Sequence, residues 1–187
     1  MRYVLAAMTL IGAVAAPAWA DGPNTGPDVE RFSMAMSVPT LCRFGEVQGG
    51  NSEFDMGVIT EDATGLLKRG LAPPVQRLQA SFCNAPSELK VQATIMAPTG
   101  STRPAPSGFA RGVHYTAKVS GWTDNDAVFQ TDVTGTQAAA TQRQTKPREH
   151  NIEITLSDFH TAGGDNLRPI ASSRYEGEVI VTLGPLP

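Results

Sequence analysis

Apolar residues recur at every second position through much of this chain, and that spacing decides what it can fold into. Leu89, Val91, Ala93 and Ile95 alternate with Lys90, Gln92 and Thr94. Val113, Tyr115, Ala117 and Val119 alternate around Lys118 and Ser120, and Ile152, Ile154 and Leu156 around Glu153 and Thr155. Phe32, Met34, Met36 and Val38 do so around Ser33, Ala35 and Ser37, and Phe54, Met56 and Val58 repeat the pattern. Leu78, Ala80 and Phe82 lead into Cys83, while Tyr175, Val179, Val181 and Leu183 share one face. Val128 to Val133 is a weaker run. Successive side chains of an extended chain point to opposite faces, so each run predicts a strand with one buried face. One bulge inverts the faces beyond it.

The connections carry turn chemistry. Gly49-Gly50-Asn51, Asn84-Ala85-Pro86, Asp124-Asn125-Asp126 and Gly163-Gly164-Asp165-Asn166 are the clearest turns. Ala97 to Gly108 holds three prolines and two glycines and reads as a loop. Thr134 to Arg148 is polar and unpatterned, and reads as a long, mobile connection. Leu66 to Gly70 has room for one helical turn before Pro73-Pro74 ends it. Many short strands joined without long helices predict an all-β antiparallel sandwich, with residues 21–187 as a single domain.

Residues 1–20 read as an export signal. Arg2 precedes an apolar run from Val4 to Ala16, Ala18-Trp19-Ala20 is a small-x-small cleavage site, and Asp21-Gly22-Pro23 starts the polar chain. The run is too short to span a bilayer, and no second one follows. The chain carries 15 basic and 18 acidic residues, a formal net charge of −3, with no basic cluster interleaved with aromatics. That balance gives no reason to expect nucleic acid or an anionic membrane as a partner. Cys42 and Cys83 are the two cysteines. In an oxidising compartment a disulfide is their default state, and it closes a loop of roughly 40 residues, which the chain-entropy model values at about 4 kcal/mol. A reactive thiol is the alternative.

Three places carry a family resemblance: the strand Phe32 to Val38 followed by Cys42; Ser81-Phe82-Cys83-Asn84 with Ala85-Pro86-Ser87 and the strand Glu88 to Met96; and Leu167 to Leu183, where Tyr175-Glu176-Gly177 runs into Glu178 to Leu183. The segment Ser107 to Tyr115 and then Gly121-Trp122 extends it. In their order these resemble secreted bacterial pilin-like subunits of the spore coat protein U type, related to chaperone–usher subunits. The resemblance implies an immunoglobulin-like sandwich lacking one strand, whose groove is filled first by a periplasmic chaperone and then by a neighbouring subunit's strand. It implies that Phe32, Met34, Met36 and Val38 form the first strand, that Cys42 and Cys83 staple it to the second, and that Tyr175, Val179, Val181 and Leu183 border the groove. The implied location is the periplasm or cell surface of a Gram-negative bacterium. Asp21 to Asp28, with two prolines, two glycines and no apolar alternation, is a poor donor strand. Three readings follow: Val29 to Val38 is the donor, the subunit ends a filament without donating, or the sandwich is complete by itself.

Chemistry leaves no comparable mark. His114 faces away from Tyr115 towards solvent. His160, with Asp158 and Asp165, offers metal-ligand types at a spacing that matches no motif, and His150 opens a strand. Asp124-Asn125-Asp126 lacks the Gly and distal Glu of a calcium loop. Glu61-Asp62 and the Glu176/Glu178 pair read as solvated surface, and Trp122 as core or rim packing rather than a sugar platform. No serine sits in a Gly-x-Ser-x-Gly elbow. The expectation is an exported, non-enzymatic structural subunit of a fimbria or coat, without cofactor or metal, whose partners are a chaperone, an usher or neighbouring subunits. The alternative is a self-complete surface module binding a carbohydrate or host ligand through the loops 97–108 and 134–148. A hydrolase on a β-sandwich comes third and has no motif in its favour.

Overall fold

The computed structural model describes residues 29–100, 103–133 and 137–186. Residues 1–20, read from the sequence as an export signal, and the segment Asp21 to Asp28 lie outside them. The chain divides into two units, Met1–Ser37 and Val38–Pro187. In the first, the described residues carry no strand, turn or bend. The strand expected over Phe32 to Val38 is therefore not formed. An alternating pattern makes a chain competent for a sheet, but a strand exists only where a second backbone takes its N–H and C=O groups. Phe32, Met34, Met36 and Val38 are 84–93% exposed and belong to no ladder.

The second unit is all-β among its described residues. Its strands are β1 (Cys42–Arg43), β2 (Glu46–Val47), β3 (Gln76–Cys83), β4 (Ser87–Ala93), β5 (Ala97–Pro98), β6 (Phe109–Ala110), β7 (Val113–Ser120), β8 (Ala127–Gln130), β9 (Ala140–Gln144), β10 (Arg148–Thr161), β11 (Arg168–Pro169), β12 (Tyr175–Glu176) and β13 (Val179–Pro185). One sheet runs β1-β3-β10-β7-β8, with β2 also on β3. The other runs β13-β4-β9. Both are antiparallel, and two short ladders, β5 with β12 and β6 with β11, lie outside them.

The sandwich closes on the inward residues of both sheets. Leu89 and Val91 of β4 meet Tyr115, Ala117 and Val119 of β7, Ala127 and Phe129 of β8, and Ile152 and Leu156 of β10. Trp122, at the turn from β7 to β8, is fully buried, so its role is packing. The alternation read for β4, β7 and β10 is the alternation observed.

On β3 a bulge reverses it. Gln79 and Ala80 together oppose Asn151, where the register shifts between His150 and Ile152. Ala80 adopts a φ of 54° and donates its N–H to Asn151 Oδ1 at 3.0 Å. Beyond the bulge Ser81 and Cys83 turn inward, not Ala80 and Phe82. The disulfide Cys42–Cys83 is formed, with the two residues directly paired across β1 and β3. Gly45 lets the chain continue along β3 from β1 to β2, since a Cβ there would collide with the Gln79 carbonyl.

Three further expectations are corrected. Phe54 to Val58 is not a strand: Asn51 Oδ1 accepts the Glu53 N–H and Asp55 Oδ1 the Gly57 N–H, both at 2.9 Å, and these local bonds replace a ladder. Thr134 to Arg148 contains β9, which pairs with β4 and buries Gln142. Gln142 donates its amide N–H to the Asn125 carbonyl, and as a buried polar residue it leaves no hydrophobic mark, so the strand reads as a loop. Tyr175 to Leu183 is broken at Gly177 and Glu178 into β12, which pairs with β5, and β13, which pairs with β4; at the break a Cβ on Gly177 would lie 2.9 Å from Met96 Cγ.

Reducing the disulfide is expected to lower unfolding stability by about 2–4 kcal/mol in urea titrations. Ile152→Ala should cost about 2–5 kcal/mol, whereas Val128→Ala, on the wet face of β8, should stay within about 0.5 kcal/mol. Equal losses at Ile152 and Val128 would contradict the assigned faces.

Candidate functional site

The three-stranded sheet has two edges of opposite character. β9 reads Ala-Thr-Gln-Arg-Gln, and Arg143 binds Glu88 Oε1 at 2.8 Å. Polar and charged side chains of this kind keep an edge strand from pairing further. β13 reads Val-Ile-Val-Thr-Leu-Gly-Pro, with no charge and no proline before Pro185. Its one ladder is with β4, so its far edge has no ladder partner among the described residues.

Burial records the same asymmetry. Val181 pairs with Val91 and Leu183 with Leu89, so they lie side by side in the sheet. Leu89 and Val91 are fully buried, while Val179, Val181 and Leu183 are only half-buried. β4 has a neighbour on both sides and β13 has one. Phe44 and Phe54 also pack only partly buried against the core. A cleft of about 430 Å³ opens beside Val179, floored by Tyr115 and Leu156 and walled by Phe54 and Met56. Phe54, Tyr115 and Leu156 had no place in the sequence-derived site. Alternation marks them as inward-facing, and whether an inward face is fully covered depends on which strand ends the sheet.

The sequence-predicted residues thus separate into four groups. Cys42 and Cys83 are joined. Val179, Val181 and Leu183 line one open edge. Tyr175 lies apart on β12, where its hydroxyl donates to the Ile170 carbonyl at 2.8 Å, and burial pushes its phenol pKa up. Phe32, Met34 and Met36 belong to the other unit, beside Val38 at the boundary.

A second, larger cleft of about 600 Å³ lies between residues 53–60 and 168–175, with Phe54, Met56 and Tyr175 beside the cations Arg168 and Arg174. None of the residues 97–108 nominated as a ligand loop lines it. His160 does not meet Asp165 in an ion pair; it lies against His114 and Asp132. Among the described residues no three of His, Cys, Asp and Glu gather as a metal centre. Nor is any described helix long and apolar enough to cross a membrane.

Tyr115 carries the largest electrostatic perturbation near the cleft. Its ring is buried against Phe159, with ring centroids 5.8 Å apart, and its hydroxyl donates to the Glu178 carbonyl at 3.3 Å. Burial first, and the Glu178 carboxylate second, push its pKa up to about 12. On β4, hydrogen bonds from Lys90 and Arg143 hold the Glu88 carboxyl below its ordinary value.

Comparison of the chain with family models, with curated proteins and with solved structures finds no match.

Tyr115 sets a pH dependence. The unfolded phenol loses its proton near pH 10 and the folded one only towards 12, so the folded state holds the extra proton in that window. Stability should therefore hold up to about pH 10 and fall as the pH rises from there towards 12. Urea midpoints measured across that window should fall less steeply for Tyr115→Phe than for the parent protein; parallel curves would contradict the assignment.

Proposed function

We propose that this chain is an exported, non-enzymatic structural subunit that joins a surface fimbria or coat by β-strand complementation. The observation that carries the reading is the apolar, uncharged, unpaired edge of β13, with its inward side chains half-covered. An added strand satisfies such an edge twice. Its backbone takes up the free N–H and C=O groups, and its alternate side chains complete the burial of Val179, Val181 and Leu183. Each aliphatic side chain moved from full exposure to full burial contributes about 1.5–3 kcal/mol, and these three are already part-way.

The chain also carries a segment of the donor type. Phe32, Met34, Met36 and Val38 alternate with small or polar residues and are held by no ladder of their own. Of the three ways of reading the start of the chain, Val29 to Val38 as donor to a neighbouring subunit uses both features. On this reading the sandwich is immunoglobulin-like and one strand short, as in the spore coat protein U type subunits that the sequence resembles. A periplasmic chaperone and an usher are then the partners during export.

A self-complete binding module is the second reading. The 600 Å³ cleft supports it, because an apolar wall of Phe54, Met56 and Tyr175 beside the charged Glu53, Asp55, Arg168 and Arg174 suits a carbohydrate or other polar ligand. A glycan array separates the two, since a subunit held together by strand donation needs no glycan.

Protein lacking residues 1–38 is expected to unfold at low temperature and to associate. A synthetic peptide of residues 29–38 should raise its melting temperature and return it to a single size in solution. The same peptide with Met34→Asp and Met36→Asp should do neither. A monomer that melts cooperatively and is indifferent to both peptides would overturn the subunit reading.

A further inference from the structure

The outer face of the larger sheet holds a second constellation that strand complementation does not use. His114 on β7 and His160 on β10 are directly paired across the two strands, and their ring centroids lie 5.4 Å apart. A bulge puts them there. From Leu156↔Ala117 and Ser157↔Thr116 the register jumps to His160↔His114, so Asp158 and Phe159 together oppose Tyr115. An unbroken ladder would set Phe159 against His114. Asp158 adopts a φ of 54° at this point, a conformation that non-glycine residues rarely take. Bulges of this kind re-aim a side chain. Here one sends Phe159 onto Tyr115 and brings His160 to His114.

The hydrogen bonds then settle which ring nitrogens are free. His160 Nδ1 lies 2.9 Å from the Asp158 carbonyl oxygen, which can only accept, so Nδ1 carries the proton. His114 Nδ1 lies 3.3 Å from Thr131 Oγ1. That hydroxyl gives its own proton to the Tyr115 carbonyl, so it accepts from the imidazole. In their neutral form both rings therefore keep an Nε2 lone pair. His160 Nε2 lies 3.6 Å from Asp132 Oδ2, a contact that a proton on the ring or a metal ion can equally bridge.

We propose that His114 and His160, as the two protein ligands, bind a divalent transition-metal ion of the Zn²⁺, Ni²⁺ or Cu²⁺ class, with Asp132 as a nearby counter-charge rather than a third ligand. The spacings suit it. Two imidazoles on one tetrahedral ion have ring centres roughly 5.2 Å apart, and those of His114 and His160 lie 5.4 Å apart. The fixed Nδ1–H on a backbone carbonyl is the usual support of a metal-bound histidine. Imidazole nitrogen selects this class over Ca²⁺ and Mg²⁺. With no three protein ligands gathered in one place among the described residues, the site is an open one, and solvent completes the coordination. His160 and Asp132 are each more than one-third exposed, so an ion has direct access. A bound ion ties β7 to β10 across the bulge.

The chain has three histidines, which makes the test internal. Untagged protein is titrated with Zn²⁺ by calorimetry, and with Ni²⁺ while the histidine side-chain resonances are followed by NMR. The resonances of His114 and His160 should shift or broaden together at substoichiometric metal, with His150 unaffected. Zn²⁺ should raise the melting temperature. His114→Gln and His160→Gln should each weaken Zn²⁺ binding by more than about tenfold, since even the supporting partners of a metal-bound histidine are worth about 10–100-fold. His150→Gln should leave it unchanged. The NMR arm reads the unaltered protein, so a variant that misfolds does not obscure the result. Resonances of His114 and His160 that respond no more than that of His150, or binding that survives loss of both residues, would overturn the proposal.

Discussion

A β-strand has two hydrogen-bonding edges, and among the described residues β13 has a ladder on only one of them. The organisation of the smaller sheet follows from that. β4 lies between β13 and β9, and its Leu89 and Val91 are sealed. β9 ends the sheet safely because its sequence is polar and Arg143 is tied to Glu88. β13 ends it with three half-covered aliphatic side chains and no charge to repel a further strand. Edges of this kind pair with whatever extended chain is available. A sequence that keeps one apolar edge and one polar edge in the same sheet discriminates between them.

The same asymmetry shows which parts of the fold are secured independently of β13. The larger sheet supplies most of the core through β7, β8 and β10, and Trp122 plugs the turn between β7 and β8. The disulfide pins the short β1 to the end of β3, where two residues of ladder could not hold it alone. The side nearest β13 depends on whatever lies beyond it. Val179, Val181 and Leu183 are half-buried there, as are Leu78, Ile154 and Phe159 elsewhere around the core.

What could be read from the amino acids was the part governed by local period. The runs at Leu89, Val113 and Ile152 became β4, β7 and β10 with the faces expected, and the two cysteines met. The misreadings have separate physical causes. At Phe54 to Val58, Asx turns took the backbone bonds that a ladder would have used. At Gln142 a buried amide replaced an apolar side chain, so β9 had no hydrophobic signal. At Ala80 and Asp158 a single residue with positive φ shifted the alternation, which composition does not mark. His160 meets His114 only because of the second bulge, so that pair was invisible to spacing. The open edge was legible in part: Val179, Val181 and Leu183 were identified as one face, but their half-buried state depends on β13 ending the sheet.

Hydrogen exchange along β13 tests the open edge most directly. In the protein without residues 1–38, the amides of residues 179–185 that point away from β4 should exchange freely, while those bonded to β4 are protected. Adding a strand of residues 29–38 should protect the outward set and leave the inward set as it was. Protection of both sets without any added strand would mean that the sheet is already complete, and the account of β13 as an assembly edge would be wrong.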